Sequence, residues 1–111
     1  MTVGEIANKL GLKLLAGQDG LANTVSGAYI CDLLSYVMSR ASKGNVWITV
    51  QTNINIIAVA VLTEVGCIII PENIKVEELT ITRANSEAVV LFSSNKSAYE
   101  LACELKDLDI S

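Results

Sequence analysis

The residues able to hold or act on a ligand are few, and most lie where an apolar run gives way to the next element. Thr49-Val50-Gln51-Thr52-Asn53-Ile54-Asn55 gathers hydroxyls and side-chain amides into an uncharged stretch. Such groups both donate and accept hydrogen bonds, which suits recognition of a small polar or phosphate-bearing molecule, and Thr52 or Asn53 is also placed to cap a following helix. Ser93, Ser94 and Lys96 follow another apolar run, residues 89–92. A serine beside a lysine can form a nucleophile and base pair. Helix capping accounts for the same residue types, because Ser and Asn are what a helix start requires. Asp32 and Ser26 flank a third run, where Asp32 reads as a cap rather than a base. The ligand-binding candidates are therefore Ser26, Asp32, Thr49, Gln51, Thr52, Asn53, Ser93 and Ser94, with no catalytic residue among them.

Composition removes most alternatives. With no histidine in 111 residues, neither a Ser-His-Asp nor a Cys-His arrangement can be built. GxxxxGK[ST] is absent, so the backbone cradle and lysine that position a nucleotide triphosphate are missing, which argues against a kinase. The three cysteines Cys31, Cys67 and Cys103 form no CxxC pair and sit in apolar or helical surroundings, as expected of buried thiols in a reducing compartment. Neither a metal site nor a cofactor is expected. A net charge of −4 with no run of Lys or Arg argues against nucleic acid or an anionic membrane as partner. Residues 44–63 are uncharged and long enough to span a bilayer, but Asn45, Gln51, Asn53 and Asn55 interrupt them and Glu64 ends them. The opening MTVGEIANKL carries Glu5 and no cationic apolar leader, so a cytoplasmic location is expected.

The elements that must position these groups follow from period. Thr2 and Glu5 make a capping-box pair, Val3, Ile6, Ala7 and Leu10 recur at helical spacing, and Gly11 supplies the stop. Residues 12–15 read as a strand, Gly17-Gln18-Asp19-Gly20 as a turn and residues 24–30 as a second strand. Asp32 is then predicted to cap a helix with the stripe Leu33, Leu34, Val37, Met38 and Ala41, ended by Lys43-Gly44. The densest apolar stretch, residues 45–70, divides into a strand over 46–50, a helix over 54–65 and a strand over 67–70. Pro71 closes that strand, Val76, Leu79 and Ala84 suggest a helix, residues 89–92 a strand, and Ser94-Asn95 or Ser97 with Glu100 opens a last helix. Apolar strands without polar alternation are covered on both faces, as in parallel sheets. The fold class is thus α/β, one three-layer domain over residues 1–111 with a mainly parallel sheet flanked by helices, and a three-stranded parallel core from residue 45 onward.

In such sheets ligands collect beyond the carboxyl ends of the strands. Thr49 to Asn53 should lie at one such place and Ser93 to Asn95 at another, sharing a crevice if their strands are neighbours, with Asp32 and Ser26 joining if their strand is adjacent. The helix predicted over 54–65 is apolar almost all round, and a chain this small cannot easily bury a helix completely, so a homodimer is expected. A further protein partner is the other occupant such a face would suit.

The segments TVSGAYICDLLSYVM, residues 24–38, and GNVWITVQTNIN, residues 44–55, resemble the DRTGG domain, and the similarity runs over nearly the whole chain. Ala22-Asn23 stand where that family has Asp-Arg, and Ser26-Gly27-Ala28 where it has Thr-Gly-Gly. The resemblance implies a parallel α/β fold like the N-terminal domain of bacterial HPr kinase/phosphorylase. It also implies an accessory, dimer-forming module of the kind found beside phosphate acetyltransferases and nucleotide-regulated pyrophosphatases. On both grounds the expected function is that of a non-catalytic regulatory or adaptor module acting as a homodimer, with small-molecule sensing as the alternative.

Overall fold

The computed structural model describes residues 1–111. It contains helices α1 (Val3–Leu10), α2 (Leu34–Arg40), α3 (Asn55–Thr63), α4 (Glu78–Ser86) and α5 (Ala98–Asp107), with strands β1 (Lys13–Ala16), β2 (Gly27–Ile30), β3 (Asn45–Ile48), β4 (Cys67–Ile70) and β5 (Leu91–Ser93). The strands form one five-stranded sheet in the order β1-β5-β4-β3-β2. Four are parallel; only β1 runs antiparallel, against β5, with Lys13 opposite Ser93 and an irregularity between Leu14 and Ala16. The parallel core predicted from residue 45 is present, and β2 extends it by one strand.

Topology follows from handedness. Strand order steps the same way from β2 to β5, so three right-handed crossovers in succession put α2, α3 and α4 on one face. The packing agrees: Val37 of α2, Ile56, Ile57, Val59 and Ala60 of α3 and Ala84 of α4 share a cluster with Trp47, Ile68 and Leu91. On the other face α1 and α5 bring Val3, Ile6, Leu10, Leu101 and Leu105 against Val46, Ile48, Ile69 and Phe92. Because helices cover both faces, every residue of β3 and β4 is buried, which is why those strands read as unbroken apolar runs. Trp47 lies wholly inside, and its indole Nε1 donates to the Cys31 carbonyl at 3.0 Å, so the one polar atom of that large side chain is satisfied.

Most local signals hold. Thr2 with Glu5 and Ser97 with Glu100 both form complete capping boxes, and the two Thr2 hydrogen bonds hold the Glu5 carboxyl below its usual range. Gly11 ends α1 in the left-handed conformation at φ 66°. Gly17, at φ 79°, is required twice over, since a Cβ there would also collide with the Val89 carbonyl oxygen.

Two expectations fail on α2. Asp32 does not cap it: the N-cap is Leu33, with no side-chain hydrogen bond. The stripe Leu33, Leu34, Val37, Met38 and Ala41 buries only Val37 completely, with Leu33 and Met38 out in solvent. The cause is position, because α2 follows the edge strand β2 and has only α3 beside it. The thiols also differ from expectation: Cys67 is buried and Cys31 half-buried, but Cys103 is exposed on α5.

Candidate functional site

At the carboxyl end of β3 the chain turns through the uncharged stretch, and one aspartate organises it. Asp32, just beyond β2, uses Oδ1 to accept from the Thr49 hydroxyl at 2.9 Å and from the Val50 amide at 2.9 Å. Its carbonyl accepts from Gln51 Nε2 at 3.0 Å. Gln51 Oε1 in turn accepts from Asn53 Nδ2 at 3.2 Å, and Asn53 Oδ1 accepts from the Asn55 amide at 2.9 Å in an Asx turn before α3, so neither Thr52 nor Asn53 is the expected cap: the N-cap is Ile54, with no side-chain hydrogen bond. The Thr52 carbonyl accepts at 2.8 Å from Thr80, a fully buried hydroxyl on α4. Asp32, Thr49, Gln51, Thr52 and Asn53 thus form one connected corner that ties β2 to β3 and α4. Asp32 Oδ1, the Thr49 hydroxyl and the Gln51 and Asn53 amides already have protein partners, whereas the Thr52 hydroxyl and Asp32 Oδ2 have none, and the corner borders none of the molecule's cavities.

The remaining candidates lie elsewhere. Ser93 and Ser94 end β5, which β4 separates from β3, so the two loops are not neighbours and share no crevice. Ser94 is buried, its amide donating to the Ile70 carbonyl at 3.0 Å and its hydroxyl accepting from the Lys96 amide at 3.1 Å. Lys96 Nζ reaches Glu104 at 2.7 Å and the Leu10 carbonyl at 3.0 Å, so no Ser-Lys pair exists. Ser26 stands before β2, at the opposite end of the sheet from Asp32, and donates to the Lys43 carbonyl at 2.6 Å. Adjacency of β2 and β3 brings Asp32 to the corner but leaves Ser26 a strand's length away.

Two openings were not anticipated. A groove of about 530 Å³ lies at the amino ends of the strands, where Asn23, Thr24, Gly44, Glu64, Val65 and Glu87 converge. A smaller one of about 300 Å³ opens at the carboxyl edge beside β5, between Lys13, Asn73, Lys75, Glu78 and Ser93, over Leu15, Ile74, Val76 and Ile81. Strand order alone assembles the second: Lys13 meets Ser93 because β1 folds back beside β5. In the sequence Lys13 and Lys75 are isolated cations, and no spacing rule joins them.

A model of the DRTGG domain matches residues 5–108. The chain belongs to the DRTGG domain family. No curated protein matches its sequence. Among solved structures, the DRTGG fold seen here is similar to the CBS and DRTGG domains of the regulatory region of Clostridium perfringens pyrophosphatase, complexed with its activator diadenosine tetraphosphate, with a TM-score of 0.77 at 10% identity. That likeness covers 94% of this chain and 45% of the other, so it is one of fold and spans less than half of the larger protein. No helix of this DRTGG domain is long and apolar enough to cross a membrane.

Proposed function

We propose that this DRTGG domain acts as a homodimeric regulatory or adaptor module in the cytoplasm, accessory to a metabolic enzyme. The observation that carries the reading is α3: it bears no charged side chain, and Val61 and Leu62 stand 46% and 68% exposed on its outer side. Leu33 before α2, Tyr36 of α2 and Leu79 of α4 are also exposed on the neighbouring helices, while Arg83 and Glu87 of α4 flank Val61 and Leu62. A face that keeps so much apolar area in water gains by covering it, roughly 25 cal/mol for each Å² removed. A twofold pair covers it with its own copy, and an uncharged helix meets itself without like-charge repulsion. Because Leu62 points into solvent in the last turn of α3, Leu62→Lys leaves the fold intact and suits the helix dipole. Size-exclusion chromatography with light scattering should therefore find a dimer for the unaltered chain and a folded monomer, with an unchanged circular dichroism spectrum, for Leu62→Lys. A dimer that persists in Leu62→Lys together with Val61→Lys would move the interface elsewhere and refute this assignment.

A second reading, sensing of a small phosphate-bearing molecule, is favoured by the fold's occurrence in a nucleotide-activated regulatory region. The proposed contact groups are those at the carboxyl edge of the sheet, the corner of Asp32, Thr49, Gln51, Thr52 and Asn53 together with Ser93 and Ser94. A thermal-shift panel of nucleotides, acyl phosphates and sugar phosphates should raise the melting temperature for at least one member. A flat response across the panel would remove this reading.

A further inference from the structure

Resting on the sensing reading, we propose that the opening between β1, the end of β5 and the β4–α4 connection binds the phosphate group of a small molecule, with Lys13 and Lys75 as its counter-charges. The first ground is topological. The chain leaves β4 for α4 on one face and leaves β5 for the terminal helix α5 on the other, so the direction of departure reverses between the carboxyl ends of β4 and β5. Open parallel sheets bind ligands at such reversals, because two loops departing to opposite faces leave a gap between them. Here the loops are stitched by Glu72 N to Lys96 O at 2.8 Å and Asn73 N to Ser94 O at 2.7 Å, so the gap that remains is the one on the α4 side.

The second ground is chemical. The side chains of Lys13, Asn73, Lys75 and Ser93 line this opening, and none makes a hydrogen bond or ion pair within the protein; the ion pairs of the molecule are Lys43 with Glu64 and Lys96 with Glu104. The corner at β3 differs, since the side chains of Asp32, Thr49, Gln51 and Asn53 are already hydrogen-bonded within it. Two ammonium groups, an amide and a hydroxyl are what a phosphate takes, lysine serving as a point charge and the neutral donors fixing orientation. Beneath them Leu15, Ile74, Val76 and Ile81 supply an apolar floor, which excludes water from one side of the ion pairs and receives a non-polar part of the ligand. A volume of about 300 Å³ admits a small metabolite. Glu78 also lines the opening, and its carboxylate opposes an anion, which makes its removal a test of sign.

The probe is inorganic pyrophosphate, titrated into the isotopically labelled full chain at constant ionic strength and followed by amide resonances. Saturable shifts are expected at Lys13, Asn73, Lys75 and Ser93, with affinity falling about tenfold or more in Lys13→Gln with Lys75→Gln and rising in Glu78→Gln. Shifts at Gln51 and Asn53 instead would overturn this site while leaving the sensing reading standing. If the resonances do not respond anywhere and the nucleotide panel is also silent, both fail together. Non-saturating shifts spread over all lysines mean charge screening alone and overturn the proposal as well.

Discussion

Asp32 shows what residue types in a sequence do and do not reveal. Its identity and its place after an apolar run suggest a cap, yet its carboxylate turns away from α2 to hold Thr49 and Val50, just past the end of the neighbouring strand. Only the pairing of β2 with β3 makes that reach possible, and pairing is not written in local sequence. Hydrogen bonds to a carboxylate are worth more than neutral ones, and two made by one exposed group set the scale: Asp32→Ala should cost about 1–2 kcal/mol in urea denaturation. An unchanged midpoint would mean that the corner holds without it. Cys67 gives a second residue-level test. Burial pushes its thiol up from 9.0 to about 12. Between those values the unfolded chain has released a proton that the native chain still holds, so native stability falls as pH rises through that window. The slope from one thiol approaches about 1.4 kcal/mol per pH unit, and it should be absent in Cys67→Ala. Below pH 9 the contribution is fully present, and there Cys103, exposed, should react with a thiol reagent while Cys67 reacts only on unfolding.

Elements were legible where their signals are local. Both capping boxes, the glycine stop of α1 and the strand at residues 67–70 depend on neighbours in sequence and occur as read. Ser97→Ala removes the hydroxyl that accepts from the Glu100 amide at 3.1 Å and should lower stability by about 1 kcal/mol, read from the shift in thermal midpoint. An equal loss in Glu100→Ala would show that both halves of the box act as one. What local signals missed was exposure. The stripe on α2 has helical period but lies beside the sheet's edge, so Val37 reaches the core while Leu33 and Met38 face solvent. The helix expected over residues 54–65, apolar almost all round, forms over Asn55–Thr63 with no charged residue, and the structure adds which side is covered and which is not.

At the scale of the whole molecule, composition and pattern were sufficient for a parallel α/β domain with helices on both faces, because buried strands must read as apolar runs. Strand order was out of reach, and with it the site. The corner at β3 was visible as a cluster of polar types, whereas the opening beside β5 exists only because β1 returns antiparallel and sets Lys13 against Ser93. The same topology leaves α2, α3 and α4 on one side, where α3 presents an uncharged outer surface with nothing over it. The proposed self-association would run through that surface.

Sedimentation equilibrium of the unaltered chain at micromolar concentration tests this most directly. A particle of twice the chain mass is the expected result; a monomer throughout that range contradicts the account.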